Sequence, residues 1–172
     1  MNIGRNDIDW RNLSHDEIDR IIAERIEADD RRIEASGGKK PKRVGYILER
    51  IAEINNLREA DREAQDGKVK KNRFIRRHNL HPEEDLRALQ LMILTLDFPA
   101  PDYSVMKVRS DAGKVRDIVK QKYFPWRILH HAIMRVIGED IYKSLIYDTS
   151  ACIKGKGLHF GVRRMKTVSY TH

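Results

Sequence analysis

The chain has 172 residues, 40% of them apolar and 35% charged, and carries a net charge of +8. That length suits one domain with an appendage, and the apolar content suffices for a lean core. Its single cysteine, Cys152, excludes an internal disulfide and a cysteine-based zinc site within one chain, and fits a small buried apolar residue in a reducing compartment.

The charge is uneven. Residues 1–66 hold 13 Lys/Arg against 16 Asp/Glu, whereas residues 67–172 hold 21 against 10. An anionic partner is therefore expected on the C-terminal two-thirds. The opening residues lack the apolar run of a signal peptide. The greasiest stretch, residues 88–96, falls well short of the roughly 20 apolar residues that span a bilayer. A soluble, cytoplasmic protein with no membrane partner is the expectation.

In chain order, Ser14 with Glu17 three residues on is a capping-box start. Ile18, Ile21, Ile22, Ile26 and Ile33 then recur at helical spacing until Ser36-Gly37-Gly38. K-K-P-K-R at 39–43 reads as a linker. A second helix is predicted from Val44, with Ile47, Leu48, Ile51, Ile54, Leu57, Ala60 and Ala64 inward and Gly67 as a left-handed cap. It is expected to pair with the first helix as an antiparallel hairpin. Residues 68–79 are dense in cations, with Phe74 and Ile75 the large apolar side chains, and are expected to dock lightly and face water. His81-Pro82-Glu83-Glu84-Asp85 opens a helix with proline at its first turn and acids near the positive end of the dipole. Its core face is Leu86, Leu89, Met92, Ile93 and Leu96.

Residues 103–109 and 114–119 read as strands, with Ser110-Asp111-Ala112-Gly113 supplying the turn. Pro125 is expected to start a long helix with Ile128, Leu129, Ala132, Ile133, Val136, Ile137 and Ile141 inward. Residues 144–157 read as irregular and 158–169 as helical.

Lys107 and Arg109 share one face of the first strand, and Lys114 and Arg116 share one face of the second. If those faces coincide, four cations project from one ribbon and favour a phosphate ligand. His130 and His131 are adjacent, so they point about 100° apart and make no metal face. Arg127 on the same helix suits a phosphate contact. The I-K-G-K-G loop, with Lys154, Gly155, Lys156 and Gly157, lets backbone approach a phosphate, though it lacks the P-loop pattern. No nucleophilic triad or acid–base carboxylate pair stands out.

In combination these motifs resemble the group II intron-like reverse transcriptases of bacteria and phages, including those of diversity-generating retroelements. The resemblance covers residues 57 to 166. It rests on L-R-E-A-D-R-E-A-Q-D-G-K at 57–68, the Leu-rich helix 86–96, K-V-R-D-I at 114–118, R-I-L-H-H-A at 127–132, and the loop from Tyr147 to Gly157 ending in K-G-K-G. The resemblance implies an α+β, mainly α fold: a helical N-terminal extension over 1–56, then a partial reverse transcriptase domain over 57–172. That domain comprises the opening helices and the fingers subdomain of a right-hand polymerase with one β-hairpin, palm and thumb being absent.

The resemblance also implies roles. Lys114 and Arg116, with Lys107 and Arg109 as further candidates, hold the incoming dNTP triphosphate. Arg127 and Lys154, Gly155, Lys156 and Gly157 lie on the template side. The implied partners are an RNA template, its DNA product, dNTP, and the palm and thumb or an accessory protein. No cofactor is expected on this chain alone, because Mg2+ in the complete enzyme needs palm carboxylates, including an aromatic-x-Asp-Asp turn. This sequence contains no such turn, and its adjacent aspartates are Asp29-Asp30. The expected function is thus that of a fingers-bearing portion of an RNA-directed DNA polymerase, unable to polymerise alone. The alternative is a non-catalytic basic RNA- or DNA-binding helical protein.

Overall fold

The computed structural model describes residues 8–36, 45–68, 72–109, 113–151, 153 and 155–169. The linker at 39–43, the turn residues 110–112, Cys152 and Lys154 lie outside that set, so the expectations placed on them have no structural counterpart. The fold is α+β and mainly helical, with one two-stranded antiparallel hairpin among the described residues. It divides into two compact units, Met1–Val136 and Ile137–His172.

The first unit opens with a short turn at Trp10–Asn12 and then helix α1, His15–Ala35. Its start is as predicted. The Ser14 side chain accepts from the Glu17 amide while Glu17 accepts from the Ser14 amide at 2.8 Å. The next helix departs from expectation. Instead of one helix from Val44 there are two, α2 (Ile47–Ala52) and α3 (Ile54–Gln65), broken at Glu53, whose ψ of 128° is extended. The break frees carbonyls at the end of α2, and side chains take them up. Asn56 donates to Ile51 O at 3.1 Å and Gln90 to Ala52 O at 3.0 Å. A periodicity that runs smoothly through 47–64 hides this break, because its cause is polar satisfaction from elsewhere in the chain. After α3, Gly67 adopts a φ of +67° and the Lys68 amide closes a turn on Gln65 O.

Helix α4, Arg73–His78, also differs. It docks firmly, since Ile75 and His78 are both buried. Helix α5, Pro82–Thr95, buries Leu86, Leu89, Gln90, Ile93 and Leu94. Leu96, expected on its core face, is instead the left-handed C-cap and 69% exposed. A helix cannot present an inward residue once its last turn has unwound. Strands β1 (Tyr103–Arg109) and β2 (Val115–Gln121) follow. An irregular helical turn at Tyr123–Arg127, extended at Phe124, leads into α6, Ile128–Ser144. That helix therefore begins three residues after Pro125.

Trp10, Ile18, Ile22, Ile51, Leu57, Ile75, Leu89, Ile128 and Ala132 belong to one apolar cluster. Residues on both sides of position 56 thus share a core. Helix α5 packs on α2 and α3, and α1 on α2. Buried charge is paired throughout. Arg25 bonds Glu49 at 2.6 Å and lies over the rings of Trp10 and Tyr46. Asp29 accepts from Arg32 at 2.6 Å, the Gly45 amide at 3.0 Å and Arg50 at 3.2 Å. Only glycine fits at 45, because a Cβ there would sit 2.7 Å from the Asp29 carboxylate.

The second unit holds the end of α6, the irregular residues 145–157 and helix α7, Leu158–Ser169. No helix among the described residues is long and apolar enough to cross a membrane.

Candidate nucleic-acid interface

The hairpin register pairs Tyr103 with Gln121, Lys107 with Asp117, Val108 with Arg116, and Arg109 with Val115. Residues directly opposite one another share a face. Lys107 and Arg109 therefore lie on one side with Asp117, while Arg116, next to Val108, lies on the other. The four candidate cations divide between the two faces instead of forming one cluster. Lys107, Arg109, Lys114 and Arg116 are all exposed, and so are most of the hairpin's apolar side chains, including Val105, Val115, Ile118 and Val119. The ribbon consequently meets solvent on both faces, an expensive display of apolar surface for a purely structural element.

A second basic region sits at the hairpin's foot. A groove of about 930 Å³ is lined by Gly67 and Lys68, by Asn72, Arg73 and Phe74 at the start of α4, by Asp102, Ser104 and Val119–Tyr123, and by Arg127 and His130. Five Lys/Arg side chains, Lys68, Arg73, Lys120, Lys122 and Arg127, face one acid, Asp102, which pairs with Lys122. Such an excess of cations around a concave surface attracts polyanions. Arg73 lies over the Phe74 ring at 5.0 Å, giving the wall a flat apolar and cationic surface. Of the predicted residues, Arg127 lines this groove. The hairpin cations lie further out, Lys107 three residues of strand beyond Ser104, or roughly 10 Å.

Lys68, Arg73, Lys120 and Lys122 were not singled out by sequence. The signal was present as the charge run K-V-K-K-N-R-F-I-R-R-H-N, but its convergence with β2 and α6 depends on tertiary packing.

Under the groove lies a buried polar cluster. His78 Nδ1 is 2.6 Å from Asp85 Oδ2. Its Nε2 lies 3.2 Å from Asp61 Oδ1, close enough for an ion pair but angled away from a hydrogen bond. Asp61 accepts the Tyr123 hydroxyl and, at 2.8 Å, the Gln65 amide. Burial works against a charged His78, yet the two carboxylates outweigh it and raise its pKa. Burial likewise pushes Asp61 up, but His78 and Tyr123 outweigh burial and hold it below the usual carboxylate value. Burial, then the adjacent Asp61, keep the Tyr123 phenol protonated far above its ordinary range.

In the second unit the Lys-Gly loop is tightly folded. The Lys156 amide bonds Ile153 O at 3.0 Å across Gly155, whose φ of +80° favours glycine. The Lys156 ammonium donates to Tyr147 O at 2.6 Å and lies over the rings of Tyr147 and Phe160. Arg164 pairs with Asp148, whose carboxyl is held low by that bond. Gly157 has open space around its α-carbon. Lys156 thus ties the loop together through its contacts with Tyr147 and Phe160, whose rings meet edge to face, which the K-G-K-G pattern alone does not disclose.

Among the described residues, no group of three or more His, Cys, Asp or Glu side chains is placed to hold a metal ion. No protein-family model matches this chain, and no curated protein matches it.

Proposed function

We propose that this chain is the fingers-bearing portion of an RNA-directed DNA polymerase of retroelement type, with residues 1–56 as a helical extension. The observation that carries this reading is the exposed hairpin, with K-V-R-D-I across its second-strand start, standing above a groove lined by five Lys/Arg residues. The series of sequence motifs in family order supports it further. Arg116 and Lys114 are assigned to the dNTP triphosphate, with Lys107 and Arg109 on the hairpin's other face as secondary contacts. Arg127, Gly155, Lys156 and Gly157, with Lys154, are assigned to the template side. Exposed Ile146, Leu158 and Met165 support a further protein surface, palm and thumb or an accessory subunit, against the second unit.

The chemistry of such an enzyme joins a primer 3′-oxygen to the nucleotide's α-phosphorus as pyrophosphate leaves, with two Mg2+ ions. The carboxylates described here do not fit that metal pair. Asp29 and Asp30 are taken by Arg32 and Arg50, and Asp61 and Asp85 by His78. No step is assigned to them, and purified chain is expected to give no primer extension with Mg2+.

The second reading, a basic RNA- or DNA-binding helical protein, is favoured by one observation. The cations that converge are those of the groove, whereas the hairpin's are divided. Titration with a fluorescent dNTP separates the two. Weak binding that disappears in Lys114→Glu/Arg116→Glu supports the fingers reading. Duplex or hairpin RNA binding that is unchanged in that variant, with no dNTP binding, supports the alternative.

A further inference from the structure

The foot of the hairpin rests on a buried histidine set between two carboxylates. His78, 3% exposed, joins three helices at one ring: its own α4, α3 through Asp61, and α5 through Asp85. Tyr123, the residue that leads from β2 towards α6, donates to the same Asp61 and packs its ring 5.4 Å from the imidazole. The Phe124 ring stacks with the imidazole at 6.2 Å. Among the described residues, Arg77 and Lys122 line a small adjoining cavity of about 270 Å³ with His78, Phe74, Asp85 and Tyr123. Lys122, Tyr123 and Phe74 also line the basic groove.

A neutral imidazole has one N–H and serves one carboxylate, leaving its other nitrogen as an acceptor facing an acceptor. The imidazolium donates from Nδ1 to Asp85, sets the positive edge at Nε2 3.2 Å from Asp61 without a hydrogen bond, and offsets the repulsion between the two carboxylates. Two carboxylates within 3.2 Å of one ring therefore favour the protonated form. We propose that His78 is a proton-operated positioning residue: protonated, it holds Asp61 against Tyr123 and so fixes the hairpin's foot and Lys122 at the groove. When the proton leaves to solvent, Asp61 and Asp85 repel across a neutral ring. Tyr123 and the base of β2 loosen, and the groove grips a polyanion less well. The binding arm of this inference rests on the nucleic-acid reading above, whereas the protonation of His78 and its coupling to Tyr123 do not.

The test uses the full chain. Imidazole nitrogen NMR followed from acid to alkaline pH is expected to show His78 holding its second proton to a higher pH than a free imidazole. The Lys122 and Tyr123 amide signals should move along the same titration curve. Asp85→Asn is expected to return the titration toward the ordinary imidazole value. In parallel, anisotropy of labelled oligothymidylate is read across pH in a His130→Gln background, which removes the titratable groove histidine. Affinity is expected to fall severalfold as His78 deprotonates, and His78→Gln should flatten that profile. A His78 ring that titrates at or below the free imidazole value overturns the proposal. So does a protonated ring whose loss leaves the Lys122 and Tyr123 amides unmoved, or an unchanged pH profile in His78→Gln. Absence of oligonucleotide binding at every pH contradicts the interface reading instead, and the amide titrations then decide the proposal by themselves.

Discussion

The helical core around α5 and the hairpin β1–β2 belong to one compact unit yet obey opposite rules. In the core, Leu57, Leu89 and Ile75 are fully buried, and buried ions such as Glu49, Asp29 and His78 each have a charged partner. In the hairpin nearly every side chain is exposed on both faces, and Lys107, Arg109 and Arg116 make no ion pair among the described residues. A sheet of two strands is marginal without a covering layer. The core thus uses its charges internally to hold a shape, while the hairpin leaves Lys107, Arg109 and Arg116 exposed to solvent.

Core truncation should break the molecule first. Ile75→Ala or Leu89→Ala is expected to cost about 2–5 kcal/mol through lost burial and a residual cavity, measured by chemical denaturation. Val119→Ala on the hairpin is expected to change stability by less than about 0.5 kcal/mol. Equal losses at the two places would erase the distinction between the regions. Next is Tyr123→Phe, which removes the hydroxyl bonded to Asp61 and leaves a buried acceptor short of a donor. A loss of about 1–3 kcal/mol is expected, with the largest backbone amide shifts at the foot of β2.

Stability should also depend on pH with a defined sign. His78 is raised above 6.5, so its contribution is complete below that value and is lost as pH rises through the folded pKa. Asp61, Asp19 and Asp29 are lowered from 3.8, so theirs is present above that value and is lost as pH falls. Denaturation midpoints are therefore expected to decline on both sides, with His78→Gln removing the alkaline decline and, because His78 also holds Asp61 low, weakening the acid one. A modest effect is expected at the cap of α1. Ser14→Ala should cost about 1 kcal/mol, read as fraying of the first turn by hydrogen exchange.

The legible parts of the fold were those set by neighbours in sequence. The Ser14–Glu17 box, the proline start at 82, the hairpin and the helix at 158–169 all follow from local patterns. The break at Glu53 was hidden because Gln90 and Asn56, distant or on the next helix, supply its compensation. The burial of His78 was hidden for the same reason, since its partners are 17 residues before it and seven after it. At the candidate site, the hairpin cations and Arg127 were readable as residue types. Their division between two faces needed the register, and the groove needed α4 to fold back beside β2.

The central claim is that the hairpin's K-x-R start grips a nucleotide triphosphate. The most direct measurement is fluorescent dNTP titration of the wild-type chain and of Arg116→Glu at low and moderate salt. The account predicts weak binding that falls with added salt and is lost in the variant, whose fold is unchanged by circular dichroism. Triphosphate binding of equal strength in Arg116→Glu, or none in the wild type while RNA still binds, would contradict it.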